Sequence, residues 1–139
     1  MATEFIWPVR VYYEDTDSGG VVYHANYLRF MERARTEWLR ALGFEQDRLA
    51  GEEGIIFAVR SLSIDYRAPA RFNDALEVRS SLRELRRASM LFHQRIVRAD
   101  EPERELCSAT VSIACVSTAA MRPAAIPPVI LEAMNRDRS

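Results

Sequence analysis

The sequence predicts an α+β domain in which a five-stranded antiparallel sheet wraps one long central helix. Three observations carry that expectation. Tyr27, Phe30, Met31, Ala34, Trp38 and Leu42 recur at spacings of three and four, the stripe of an amphipathic helix of about four turns. From Ile55 onward the apolar period changes to two, over four successive runs. One strand, one helix and then four strands leave the helix no partner except the sheet, so a curved sheet around it is the economical packing.

The first strand spans Trp7 to Tyr13, and Pro8 is tolerable there only at the strand start or on a sheet edge. Glu14-Asp15-Thr16-Asp17-Ser18-Gly19-Gly20 is a dense turn signal. The helix then runs from Tyr27 to Leu42, with Asn26 as its N-cap and Gly43 as its C′ residue. Residues 43 to 54 are polar and contain glycine. Ile55 to Tyr66 follows, with Leu62, Ile64 and Tyr66 on one face. Next, Leu76, Val78 and Leu82 alternate with Glu77, Arg79 and Arg83. In the fourth strand Met90, Phe92, Gln94 and Ile96 oppose Leu91, His93, Arg95 and Val97; the fifth runs from Glu105 to Ser117. Turns at Arg87-Ala88 and Asp100-Glu101-Pro102 make these runs antiparallel hairpins. Pro123, Pro127 and Pro128 end the sheet, and a short helix from Pro128 to Asn135 follows, with Pro128 at its N1 position.

No linker or repeat divides the 139 residues, so a single domain is expected. Apolar residues make up 48% and charged residues 28%, which excludes a disordered or low-complexity chain. A core of this size requires neither disulfides nor a structural metal. The balance of 19 basic and 20 acidic residues removes the field expected of a nucleic-acid binder and gives no reason for a membrane surface. Every basic residue is Arg. That excludes a Schiff-base lysine, a pyridoxal-phosphate anchor and a Walker A loop, all of which need the amine. The N-terminus lacks the basic region and apolar core of a signal peptide, and no window approaches the length of a transmembrane helix. Cys107 and Cys115 lie on one strand-like run, where eight extended residues separate them by roughly 26 Å, against about 7 Å for bridged Cα atoms. His24 and His93 have no zinc-ligand spacing. A reducing, cytoplasmic compartment fits this cysteine usage. The outer sheet face and edges would leave apolar surface that a second copy could cover.

Chemistry concentrates between Tyr12 and Glu37. If the turn folds back, Asp17 approaches the first free amides of the long helix, donors that suit a developing oxyanion. A carboxylate there can attack a carbonyl directly or deprotonate an attacking water. Thioesters suit so weak a nucleophile, because a thiolate leaves easily. The same residues also make an ordinary surface turn, with Asp17 satisfying its own backbone. His24, just before the helix, could contact substrate or be structural. Glu14 and Asp15 read as solvated turn residues. Glu32 and Glu37 have helical ion-pairing partners in Arg29, Arg33, Arg35 and Arg40. No serine sits in a nucleophile elbow.

The stretch WPVRVYYEDTDSGGVVYHANYLRFMERARTE, from Trp7 to Glu37, resembles the opening of the YbgC family of acyl-CoA thioesterases, in the 4-hydroxybenzoyl-CoA thioesterase branch of the hotdog-fold superfamily. The likeness continues through Val59 to Asp74 and Phe92 to Val97, with D-x-D-x-G-x-V-Y-x-x-x-Y in register. The resemblance implies a hotdog protomer that dimerises through its sheet and commonly pairs again as a tetramer, with active sites at the dimer interface. It implies Asp17 as the catalytic carboxylate and the His24 amide as the group polarising the thioester carbonyl, with the His24 ring a candidate for substrate or water contact. Arg86, Arg87 and Ser89 match the hairpin that holds the coenzyme A nucleotide, where a guanidinium suits phosphate oxygens. Ala88 departs from the pattern, because the 4-hydroxybenzoyl-CoA enzymes carry Lys there. No cofactor is implied beyond coenzyme A within the substrate, and short-chain or aromatic acyl groups are expected. The family's association with the Tol-Pal system makes an acyl carrier protein a candidate partner. Two other readings compete: an acyl-carrier scaffold with little turnover, which the intact Asp17 and Gly20 disfavour, and an enoyl-CoA hydratase. The latter wants Asp and His five residues apart, and Asp17 and His24 are seven apart.

Overall fold

Five strands form one antiparallel sheet within residues 3–138, the part of the chain described by the computed structural model. They are β1 (Phe5–Arg10), β2 (Ile55–Tyr66), β3 (Ala75–Leu85), β4 (Ser89–Arg98) and β5 (Glu101–Ser117). Their order is β1-β3-β4-β5-β2, which makes β1 and β2 the edges. Pro8 therefore lies on an edge strand, opposite Glu77, where its missing amide costs no second ladder. β1 begins and ends earlier than the expected Trp7–Tyr13, because Tyr13–Asp15 tighten into a 3-10 turn. β5 begins earlier than expected, at Glu101, since the chain reverses at Ala99 and Asp100 alone.

The long helix α1 (Asn26–Ala41) packs against one face of this sheet and buries Tyr27, Phe30, Met31, Ala34, Trp38 and Leu39. The stripe turns onto Leu39 at its end, leaving Leu42 partly buried. The Trp38 ring meets Phe92 of β4 edge to face, 5.0 Å between centroids. The β4 alternation is as expected: Met90, Phe92, Gln94 and Ile96 are buried on the helix side. Gln94, a polar residue with no exposure, survives there because its hydrogen-bonding groups are matched. Its side-chain amide nitrogen Nε2 donates to the Met31 carbonyl at 3.0 Å and to Ser80 Oγ at 2.9 Å, while Oε1 accepts from Arg35 Nη1 at 2.8 Å.

Helix boundaries correct one expectation and match another. Gly43 lies just past the helix at φ 102°, a left-handed conformation open to glycine, and its amide donates to the Arg40 carbonyl. Asn26, in contrast, is not the N-cap. It is the first helical residue, Ala25 occupies the cap, and no side chain caps the helix start. The polar stretch 43 to 54 contains a short helix α2 (Gln46–Arg48) running into a wide turn at Leu49–Glu53, anchored by buried Leu49. The closing helix α3 (Pro128–Asp137) has Pro in its first turn and is tied to α1 by Trp38 Nε1 donating to Asp137 Oδ2 at 2.9 Å.

Cys107 and Cys115 are free and buried along β5. Burial, with Glu105 nearby, pushes the Cys107 thiol up to about 12. On the edge strand β2, Val59, Leu62 and Tyr66 stay exposed. A register shift between Val59 and Ser61 interrupts the same stretch. No helix among the described residues is long and apolar enough to cross a membrane.

Candidate active site

Asp17 opens a tight turn whose two arms pair as a small hairpin. Thr16 and Val22 form a bridge, the Asp17 amide donates to the Val21 carbonyl at 2.9 Å, and the Gly20 amide donates to the Asp17 carbonyl at 3.0 Å. Gly20 holds φ 81°, which a side chain would strain. Asp17 Oδ1 accepts the Gly19 amide at 2.8 Å, so half of the carboxylate does satisfy its own backbone. The side chain is exposed, and Oδ2 has no hydrogen-bond partner among the described residues.

The second arm leads into α1. Val22 donates to the Ala70 carbonyl, and the Ala70 amide donates to the Tyr27 hydroxyl at 3.0 Å, which pins the arm to the segment before β3. Burial holds the Tyr27 phenol above its ordinary value, so it stays neutral while accepting that bond. His24 is exposed at the turn into the helix, with its ring 4.5 Å from that of Tyr23. Its carbonyl accepts the Tyr66 hydroxyl from the edge strand at 2.9 Å, which fixes the peptide plane that follows His24. The His24 and Ala25 amides donate to no carbonyl among the described residues. Asp17 and His24 therefore sit on the two arms of one hairpin, within about 10 Å along the chain direction.

Asp15 is not the solvated turn residue that its neighbours suggest. It is buried, because its carboxylate is consumed internally: Oδ2 accepts the Tyr12 amide at 2.8 Å and Oδ1 accepts Asn26 Nδ2 at 3.0 Å. The Asn26 side chain, assigned to capping from sequence, is turned to this partner instead. Local spacing could not reveal the pairing, since it joins residues eleven apart across an irregular turn.

Two depressions lie along the sheet, and one of them is also walled by α1. A cavity of about 210 Å³ opens between α1 and strands β2, β4 and β5, walled by Trp38, Leu39, Phe57, Met90, Phe92 and Ile113, with Glu32 and Arg35 at its polar side. Burial pulls the Arg35 guanidinium below its ordinary value, and the charge of Glu32 opposes that shift. Glu32 and Arg35 thus line a cavity as well as the surface of a helix. A second, smaller hollow of about 120 Å³ brings together Arg86 and Ser89 with Arg60, Glu84 and Ser112. Arg87 is exposed and does not line it, so the structure joins two of the three hairpin residues and adds Arg60, which sequence reasoning missed. Arg60 Nη2 donates to Ser112 Oγ at 3.3 Å, and Arg86 pairs with Glu84 at 3.3 Å. Arg60 is the residue bypassed at the register shift between Val59 and Ser61 in the β2–β5 pairing, and that long-range pairing is invisible in a linear scan.

Comparison with known proteins decides the family. The thioesterase-like superfamily profile matches residues 11–134. The chain is 48% identical over 131 residues to the acyl-CoA thioesterase YbgC of Haemophilus influenzae, covering 94% of each chain. It is 49% identical to the acyl-CoA thioester hydrolase YbgC of Escherichia coli, over 93% of this chain and 94% of that one. The chain belongs to the YbgC family. Its fold agrees with a solved probable thioesterase from Bartonella henselae, at a TM-score of 0.83 and 37% identity, over 90% of this chain and all of that one. The hotdog architecture implied by the resemblance is thus the observed one, an antiparallel sheet of five strands with a helix on its face.

Proposed function

We propose that the chain hydrolyses acyl-CoA thioesters to a free acid and coenzyme A, with Asp17 as the group that acts on the thioester carbonyl. The observation that carries this reading is the placement of a carboxylate with one free oxygen and an uncapped helix start on the two arms of one hairpin. The carbonyl oxygen takes the His24 amide, where the helix dipole favours the negative charge that grows on it. Asp17 either attacks the carbonyl carbon to form a mixed anhydride or removes a proton from the water that attacks. In both routes the C–S bond breaks and the thiolate leaves and is protonated; in the water route the acid takes its second oxygen from water, whereas in the anhydride route it leaves with an Asp17 oxygen and water attacking the Asp17 carboxyl carbon replaces that oxygen.

The acyl group occupies the cavity beside α1. Its volume of about 210 Å³ is below the range usual for drug-sized ligands and supports short-chain or aromatic acyl groups. Arg86, Ser89 and Arg60 hold the nucleotide phosphates, Arg60 supplying the charge that Ala88 does not, with Arg87 at the rim. The exposed Val59, Leu62 and Tyr66 of β2 support pairing of this edge with a second copy, as a homodimer or a tetramer built from it. An acyl carrier protein is an alternative thioester donor.

A thiol-release screen over short, aromatic and long acyl-CoAs and an acyl carrier protein thioester, run beside Asp17→Asn, tests the reading. Short or aromatic acyl-CoAs should turn over. Absence of release above the Asp17→Asn background would favour a scaffold that holds acyl carriers. Single turnover in 18O-labelled water separates the two routes, because only the anhydride route leaves 18O in Asp17.

A further inference from the structure

Asp15 gathers four hydrogen bonds around one buried residue. Its carboxylate takes the Tyr12 amide at 2.8 Å and Asn26 Nδ2 at 3.0 Å, its amide donates to the Tyr12 carbonyl at 3.0 Å, and its carbonyl accepts the Tyr23 amide at 2.9 Å. These partners are the exit of β1, the second arm of the Asp17 hairpin and the first residue of α1. Asp17 itself follows two residues later, with its main chain held only by the turn. Asn26 is as buried as Asp15, and its own amide donates to the Tyr23 carbonyl at 2.8 Å.

The pairing also explains an irregularity at the helix start. An Asn near a helix N-terminus ordinarily turns its side chain to the free amides. Here Asp15 takes that side chain, and Ala25 at the cap has nothing to offer in its place. The His24 and Ala25 amides, which precede the cap, make no backbone hydrogen bond among the described residues.

We infer that Asp15 and Asn26 form a positioning pair that fixes the Asp17 turn relative to the start of α1. The inference rests on the thioesterase reading above and adds to it two residues that touch no substrate. A displacement of about 1 Å between a catalytic group and its oxyanion donor is enough to cost on the order of 100-fold in rate, so this pair should govern kcat more than KM.

The test compares Asp15→Asn, Asn26→Asp and the exchanged double variant Asp15→Asn/Asn26→Asp with the wild type. Steady-state kinetics on an acyl-CoA are measured at a temperature where circular dichroism shows each protein folded. Asp15→Asn removes the charge and leaves one acceptor oxygen where the Tyr12 amide and Asn26 Nδ2 use two, and Asn26→Asp sets two carboxylates against each other. Each should lower kcat at least tenfold with KM within about twofold. The exchanged pair restores donor to acceptor and should return kcat to within about threefold of wild type. If Asp15→Asn lowers the melting temperature while the folded protein keeps its kcat, the pair is structural only and the inference falls. If Asp15→Asn does not fold, Asn26→Ala replaces it, with at least a fivefold fall in kcat expected and an unchanged kcat overturning the inference. Asp17→Asn runs alongside. Full hydrolysis in that variant, or none in the wild type, overturns the thioesterase reading and this inference with it; loss in Asp17→Asn with an unchanged Asp15→Asn overturns the positioning role alone.

Discussion

The middle of α1 and its beginning are both fastened by a buried side chain that hydrogen-bonds in several directions, yet the two places differ in what surrounds the fastening. Gln94 lies fully buried in the sheet, with its side-chain amide bonded to Met31, Ser80 and Arg35. Asp15 lies beneath a turn whose other residues, Glu14, Asp17, Ser18, Gly19 and Gly20, are exposed. Around Gln94 the hydrogen bonds complete a packed interior. Around Asp15 they hold a sparsely packed segment in one conformation and leave donors open beside it. Stability should therefore reside at the middle of the helix and chemistry at its start, and the two should come apart under substitution.

The sharpest break would come from Asp17. Asp17→Asn should lower kcat at least 100-fold while moving the melting temperature by less than about 2 °C, since the side chain is exposed and keeps an acceptor for Gly19. A large thermal shift with retained turnover would reverse the comparison. Gln94→Leu should do the opposite. It strands the Arg35 guanidinium, the Met31 carbonyl and the Ser80 hydroxyl, at a cost of about 2–4 kcal/mol, with kcat of the folded enzyme within about twofold. Chemical denaturation and saturating kinetics measure the two halves separately.

Smaller effects sharpen the picture at the periphery. The double variant Arg60→Gln/Arg86→Gln should raise KM for an acyl-CoA about tenfold, from two lost charge-assisted phosphate contacts, and leave KM for the matching acyl-pantetheine unchanged. An equal rise for both would place the two arginines outside nucleotide binding. The mildest effect is on pH. His93 neighbours Gln94 on the outer face of β4, where burial, aided by the charges of Arg83 and Arg95 and opposed by Glu105 and Glu4, holds the imidazole below its ordinary 6.5. The unfolded chain takes up that proton first, so the stability His93 provides is complete above pH 6.5 and declines as pH falls below it. His93→Gln should flatten that decline in thermal melts and leave the pH profile of kcat/KM untouched.

Periodicity carried most of the fold. The β4 alternation and the α1 stripe mark buried faces because each element has one core side, and the two hairpin turns follow from short polar breaks. Boundaries at β1 and β5 moved where local turns competed with extended chain, at Tyr13–Asp15 and Asp100. The site was legible only in part. Asp17 stands out by its glycines and its motif, but Asp15 looked solvated because nothing in a linear sequence shows that Asn26 will face it. Arg60 was hidden for a related reason: its neighbours come from the pairing of β2 with β5, a long-range register. In both cases the missing information was which distant residue meets a polar side chain.

Gln94 grips Met31 and Arg35, two points one helical turn apart, from a single place on the sheet. Sliding α1 along its axis would break both grips together. The helix is held like a ratchet by its pawl, and axial slippage over the sheet costs two buried hydrogen bonds at once.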